Sequence, residues 1–207
     1  MIIGFLGAGQ MAQTLARVWL RAGHRVLITN SRGAQSLADL VAELGPAASA
    51  GSPAQLDGVD VVVLATRWTQ LPAALAAAGP LPGKVVVDPT NNRTGPNPED
   101  VVDLGGRGSS EVVAGLLPGA RVVKAFNHLP IPALGTLTQR PEPVALYLAG
   151  DDPAARAVVA GLAAELGGVP VDTGGLVDGA RLWAAGGPLS GPARTGTEAA
   201  AIVAGRG

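Results

Sequence analysis

No cysteine occurs in the 207 residues, which removes disulfide frameworks, thiolate nucleophiles and cysteine-ligated zinc together. Histidine is almost as scarce. His24 and His128 stand far apart with no neighbouring acidic pattern, so neither a metal cluster nor a Ser-His-Asp arrangement is signalled, and His24 reads as a surface turn residue. Charge is thin as well: 15% of residues are charged and the formal net charge is -1, which lacks both the basic excess that nucleic acid demands and the charge density of a disordered chain. No apolar stretch reaches membrane-spanning length without glycine, proline or charge inside it, so no membrane partner is expected. The apolar start, Met1-Ile2-Ile3-Gly4-Phe5-Leu6, has no basic flank and runs straight into glycines. It reads as a first strand rather than a signal peptide, and a cytoplasmic setting is the default expectation.

What is present is a regular alternation of strand and helix signals. The apolar run Ile2–Leu6 is broken by Gly7-Ala8-Gly9, after which Met11, Leu15, Val18 and Trp19 recur at the spacing of one helix face. That helix stops at Gly23, and Arg25–Thr29 follows as a second strand, completing a βαβ unit. Leu37, Leu40, Val41 and Leu44 mark another helical face, and Leu71–Ala78 an alanine-rich helix. Residues 59–65 and 84–88 are nearly continuous β-branched runs, as central parallel strands covered on both faces require. Residues 121–126 give a further strand. Residues 89–110, dense in proline, asparagine and glycine, are far too long for an ordinary connection and read as a functional loop. A strand at 144–149, a helix opened by Asp152-Pro153 and running to Leu166, and a strand at Val169–Asp172 form a smaller C-terminal portion. A short helix is expected around Leu182 and Trp183, and weak order at the end of the chain. The fold class is therefore α/β: a Rossmann-type, doubly wound, mostly parallel sheet with a small C-terminal α/β portion.

The sharpest motif is Gly7-Ala8-Gly9-Gln10-Met11-Ala12, a G-x-G-x-x-A placed directly after a strand and opening a helix, the context a dinucleotide site requires. Gly7 permits the turn, Gly9 lets a pyrophosphate approach, Ala12 allows helix to pack on strand, and the free amides of the helix start face the anion. The alternative is that the glycines only shape the turn. Cofactor choice falls at the end of the second strand, where an acidic residue would hold the ribose hydroxyls of NAD. Asn30, Ser31 and Arg32 stand there instead. An acid would repel a 2′-phosphate, whereas Ser31 can donate to it and the Arg32 guanidinium can grip it in a fork, so the site is expected to prefer NADP(H). A plain solvated turn is the competing reading. Residues 79–84 imitate a phosphate loop, but they are one residue short and place Val85 where a Ser or Thr should hold magnesium.

Taken together, Gly7-Ala8-Gly9-Gln10-Met11-Ala12, Asn30-Ser31-Arg32-Gly33, Leu64-Ala65-Thr66-Arg67-Trp68, Asp88-Pro89-Thr90-Asn91, Val123-Lys124-Ala125-Phe126-Asn127 and Gly150-Asp151-Asp152 resemble the NADP oxidoreductases that depend on the deazaflavin coenzyme F420. The likeness extends to about Arg181. It implies an NADP-binding Rossmann core over residues 1–126 and a smaller part over 127–207, closing the substrate cleft within one compact unit. It implies hydride transfer between NADPH and the deazaflavin, the two rings stacked between the parts. Such chemistry asks alignment and exclusion of water of the protein more than acids or bases, and no metal. Ala65, Thr66, Arg67 and Trp68 after one strand, and Asn91 after the next, are candidates for nucleotide contact, because ligands sit beyond the carboxyl ends of strands. Trp68 could equally anchor packing. Asn127, His128 and Pro130 are the candidates for the second ring, with a plain loop role for His128 as the alternative. The same architecture serves ferric reductase domains that use an ordinary flavin. Other readings are a reductase of a small imine or ketone, or of FMN or ferric iron, and a non-catalytic NADP-binding sensor. The expected partners are NADPH and a small flat-ring substrate, with alanine-rich faces that would suit a homodimer.

Overall fold

The computed structural model describes residues 1–95, 97 and 99–205; Pro96 and Pro98 of the loop read as functional, and Arg206 and Gly207 of the chain end, lie outside the described residues. In chain order the strands are β1 (Ile2–Leu6), β2 (Arg25–Thr29), β3 (Ala48–Gly51), β4 (Val61–Leu64), β5 (Val85–Asp88), β6 (Arg121–Ala125), β7 (Ala145–Gly150) and β8 (Val169–Asp172). The helices are α1 (Gln10–Arg21), α2 (Ala38–Leu44), α3 (Leu71–Ala78), α4 (Ser109–Leu116), α5 (Ile131–Leu134), α6 (Pro153–Glu165), α7 (Leu176–Arg181) and α8 (Gly196–Ala204). One sheet holds all eight strands in the order β3-β2-β1-β4-β5-β6-β7-β8. Every pairing is parallel except β6 with β7, where Val123 faces Gly150 and Ala125 faces Leu148 in antiparallel register. The fold is an α/β, Rossmann-type, mostly parallel sheet. None of the helices is long and apolar enough to cross a membrane among the described residues.

The period-two pattern of the strands divides the core into two layers. Val61, Val63, Val85 and Val87 point to one face with Ile3 and Phe5, where α1 and α6 cover them through Leu15, Trp19, Val159 and Leu162. Val62, Leu64 and Val86 point to the other, against Leu71 and Leu75 of α3 and Val113 of α4. Strands buried on both faces explain why β4 and β5 read as unbroken valine runs. Trp19 is the keystone of the first layer: it stacks on Phe5 at 6.0 Å, meets Phe126 edge-on at 6.0 Å and donates its indole N–H to the Leu162 carbonyl at 3.1 Å. The dinucleotide-type helix α1 is thereby tied to the C-terminal half.

Three elements depart from the sequence reading. β3 is Ala-Ser-Ala-Gly, with no β-branched residue to announce it; backbone pairing to β2 alone makes it a strand at the sheet edge. The end of the chain, expected to be weakly ordered, forms α8. Thr195 and Glu198 cap it reciprocally, Thr195 N donating to Glu198 Oε2 at 2.8 Å and Glu198 N to Thr195 Oγ1 at 3.3 Å, a Thr-x-x-Glu signal visible in the sequence. The helix expected around Leu182 and Trp183 lies one turn earlier, and those residues follow its end. His24 is also not a surface residue. It is 9% exposed, because the α1–β2 turn lies against the end of α6, where His24 Nε2 meets Glu165 Oε2 at 2.8 Å and Nδ1 meets the N-terminal amine at 3.2 Å.

Candidate active site

The strand order turns at β1, with β2 on one side and β4 on the other, and such a switch point leaves a crevice at the carboxyl ends of the strands. Gly7 makes the turn out of β1 at φ 117°, a conformation that suits glycine, and its amide donates to the Thr29 carbonyl at 3.0 Å. A Cβ there would lie 2.3 Å from the Ala65 carbonyl oxygen. Gly9 is different: it precedes α1 with ordinary extended backbone, and a Cβ would find its nearest neighbour at 3.9 Å. The fold requires glycine at the first position and not at the second, so the absence of a side chain at Gly9 serves something outside the fold. No side chain caps α1 and no acid occupies its first turn, leaving its leading amides open toward the crevice. Gly7→Ala is therefore expected to lower the urea midpoint, the backbone strain alone costing on the order of 1–3 kcal/mol. Gly9→Ala should keep the wild-type midpoint and lose affinity for NADPH in a fluorescence titration; an unchanged affinity would dissociate Gly9 from nucleotide binding.

A cleft of ≈ 700 Å³ begins at Gly9, Gln10 and Met11 and continues past Ala65, Thr66, Arg67 and Trp68 to Asn91. Seven of the residues read as nucleotide contacts thus share its wall with Asn91. Trp68 combines its two readings, packing on the apolar layer under α3 while lining the cleft. Gly7 and Ala8 do not line the cleft. Asn30, Ser31 and Arg32 stand past the end of β2, outside this cleft, with Ser31 and Arg32 exposed. An Asx turn shapes them: Asn30 Oδ1 accepts from the Arg32 amide at 2.9 Å while Asn30 Nδ2 donates to Ser36 Oγ at 2.8 Å.

A second cleft, ≈ 540 Å³, opens beside the first and shares Asn91 and Arg93 with it. Asn127 stands at the junction. Its Nδ2 donates to Asn91 Oδ1 at 3.0 Å, its carbonyl accepts from Asn91 Nδ2 at 3.3 Å, and its Oδ1 accepts from the Trp183 indole at 3.0 Å. The residue before it, Phe126, is buried with φ 65°, a left-handed conformation costly for a bulky side chain that turns the chain sharply out of β6. His128 lines the same cleft. Its Nε2 donates to the Ala145 carbonyl at 3.1 Å and its ring stacks on Tyr147 at 4.3 Å, which in turn leans on Trp183. Burial pushes its pKa down to about 4, so it is neutral at physiological pH and does not act as a cation. Pro130 is exposed and lines neither cleft; Ile131 takes the wall position instead.

The most consequential group was missed by the sequence reading as a functional residue. Lys124, on β6, is 6% exposed and faces the second cleft. Its ammonium donates to Ser109 Oγ at 2.8 Å, Ser110 Oγ at 3.2 Å and the Thr90 carbonyl at 3.2 Å. Asp88, fully buried at the end of β5, accepts from Ser110 Oγ at 2.5 Å and from both the amide and hydroxyl of Thr90, at 2.9 and 2.6 Å. Burial pulls the Lys124 pKa below the usual lysine range and Asp88 partly offsets this. α4, the helix that brings both serines, begins inside the stretch read as loop, with Glu111 Oε2 receiving the Gly108 amide at 2.5 Å. The rest of that loop is braced by an antiparallel bridge of Arg93 with Val101 and by Asn92 Nδ2 donating to the Val102 carbonyl at 2.7 Å. A lysine inside an apolar strand, immediately after a valine pair, was the available signal. The rim adds Arg93, Arg107 and Arg181 beside one lining carboxylate, Glu111, with Arg181 paired to Asp178 at 3.8 Å.

Residues 2–92 match the family model described as NADP oxidoreductase, coenzyme F420-dependent. A hypothetical protein of Sinorhizobium meliloti, known from its crystal structure, is 32% identical, with 94% of this chain and 95% of that one covered and a TM-score of 0.82. A provisionally named F420-dependent NADP reductase from Arthrobacter sp. FB24 is 26% identical over 84% of each chain, with a TM-score of 0.73. Among curated proteins the metalloreductase STEAP3 of Rattus norvegicus is 29% identical over 175 residues, 84% of this chain, which spans 34% of that protein's length.

Proposed function

The chain belongs to the coenzyme F420-dependent NADP oxidoreductase family, and from that premise we propose that it passes hydride between NADPH and a flat flavin-like ring, with the deazaflavin coenzyme F420 as the leading acceptor. The observation that carries this reading is the adjacency of the two clefts. One starts at the G-x-G-x-x-A turn and ends at Asn91; the other starts at Asn91 and is walled by Asn127, His128 and Trp183. Two rings lodged on either side of that shared edge would meet across it, which makes the protein's task one of holding them in register.

The residues present fit the dinucleotide. Open amides at the start of α1 and a bare Gly9 suit the pyrophosphate, and Ser31 with Arg32 suits a 2′-phosphate. Bound NADPH supplies the transferable hydride. Thr66, Arg67 and Trp68 border its path and Asn91, fixed by its two bonds to Asn127, sets the depth at which the path ends. The second cleft favours an anionic acceptor, because Arg93 and Arg107 at its rim outnumber its one lining carboxylate, Glu111, while Arg181 is already paired with Asp178 at 3.8 Å and Lys124 is offset by Asp88. F420 and riboflavin phosphate both carry a phosphate, whereas an iminium ion is cationic and is disfavoured by the same field. NADPH mixed with oxidised F420, and separately with riboflavin phosphate, should lose its nicotinamide absorbance faster with F420. Turnover with riboflavin phosphate alone would transfer the assignment to a flavin reductase, and turnover with neither would leave an NADP-binding sensor or a small-molecule reductase.

A further inference from the structure

Three hydroxyls meet the buried pair formed by Asp88 and Lys124, and their hydrogens are not equivalently engaged. Thr90 Oγ1 and Ser110 Oγ both donate to the Asp88 carboxylate. Ser109 Oγ accepts from Lys124 at 2.8 Å, so one lone pair is taken, and among the described residues its own O–H has no acceptor. Ser109 lines the second cleft. It is the first residue of α4, whose N-terminus adds its partial positive charge. All three Lys124 hydrogens are committed to protein oxygens, so the ammonium does not reach the ligand itself; it polarises the hydroxyl that does.

We propose that the Ser109 hydroxyl, with Lys124 behind it as a positioning residue, is a fixed hydrogen-bond donor that receives a carbonyl oxygen of the acceptor ring, so that the site selects rings in which a carbonyl is conjugated to the hydride-accepting atom. This rests on the acceptor reading given above and adds to it which group of the acceptor is recognised. In the transfer, one C–H bond of the dihydronicotinamide breaks and one forms on the acceptor with the same electron pair. NADPH is oxidised to NADP⁺ and the ring is reduced by two electrons. The displaced π pair runs to the conjugated oxygen, and the negative charge that collects there is met by the Ser109 O–H; solvent supplies the final proton. A donor already oriented where charge develops needs no rearrangement at that moment. Asp88 offsets the ammonium charge and orients Ser110 and Thr90, which the ammonium bonds, and it lines neither cleft.

Ser109→Ala removes one hydroxyl at a position where a helix accepts alanine. With F420 and riboflavin phosphate as probes, three quantities decide the matter: NADPH affinity, affinity for the oxidised ring by fluorescence quenching, and the transfer rate at saturation. NADPH affinity is expected to stay within about twofold, ring affinity to fall several-fold, and the rate to fall about 10²-fold, as for a lost oxyanion donor. Lys124→Met should give the same pattern, with kcat affected more than KM, and Ser109→Ala decides alone if that variant does not fold. A wild-type protein that reduces a ring, beside a Ser109→Ala variant equal to it in rate and ring affinity, would overturn the proposal and leave the acceptor reading standing. A wild-type protein that neither binds nor reduces either ring would end both.

Discussion

Arg32→Ala is expected to weaken NADPH roughly ten- to a hundredfold while changing NADH by less than about threefold, because a charge-assisted hydrogen bond contributes about 1.5–3 kcal/mol and only NADPH offers a 2′-phosphate to receive it. On the proposed reading, the shape of the loop after β2 suits that discrimination. The Asx turn of Asn30 fixes the Arg32 amide, Ser36 braces Asn30, and Gly33, at φ 88°, turns the chain away and leaves the guanidinium free in solvent. No carboxylate occurs between β2 and Asp39 of α2, so nothing there repels a phosphate. Titration of both nucleotides by fluorescence is the measurement, and the preference should narrow as salt rises, since the site is exposed. Equal losses for both nucleotides would detach Arg32 from cofactor choice.

Asp88→Ala should destabilise the protein by about 3–5 kcal/mol, since it leaves Lys124 buried without its countercharge and strips an acceptor from Thr90 and Ser110. For a domain whose whole stability is about 5–15 kcal/mol, that is a large share. Urea denaturation measures it. The double variant Asp88→Ala with Lys124→Met should recover much of the loss, because removing both charges removes the uncompensated one. A single-variant loss below about 1 kcal/mol would mean that water already reaches the pair.

These residues also show what a sequence reveals and what it conceals. β1, α1 and β2 were legible because local signals agreed: an apolar run, a glycine turn, a helical period and a second run all fall within thirty residues. The valine strands were legible for the same reason. The cluster around Lys124 was not, because its members come from β5, the loop after it, α4 and β6, and nothing local says that Asp88, Ser109 and Lys124 will converge. β3 has no propensity of its own and exists through its neighbour, whereas α8 was announced by Thr195 and Glu198 and overlooked among the glycines and prolines that precede it. Strand topology placed Asn91 near the nucleotide and Asn127 near the second ring; that they would clasp one another required their distance of 3.0 Å.

β6 and β7 run side by side in opposite directions within a single uninterrupted sheet, and Trp19 reaches from α1 to the backbone of α6. Cross-bracing of this kind resists a swing of one half over the other. Neither substrate then needs to arrive first to prepare a berth for its counterpart, and steady-state kinetics should follow a random sequence of addition, with initial-rate lines that intersect and product inhibition that is symmetrical between the two.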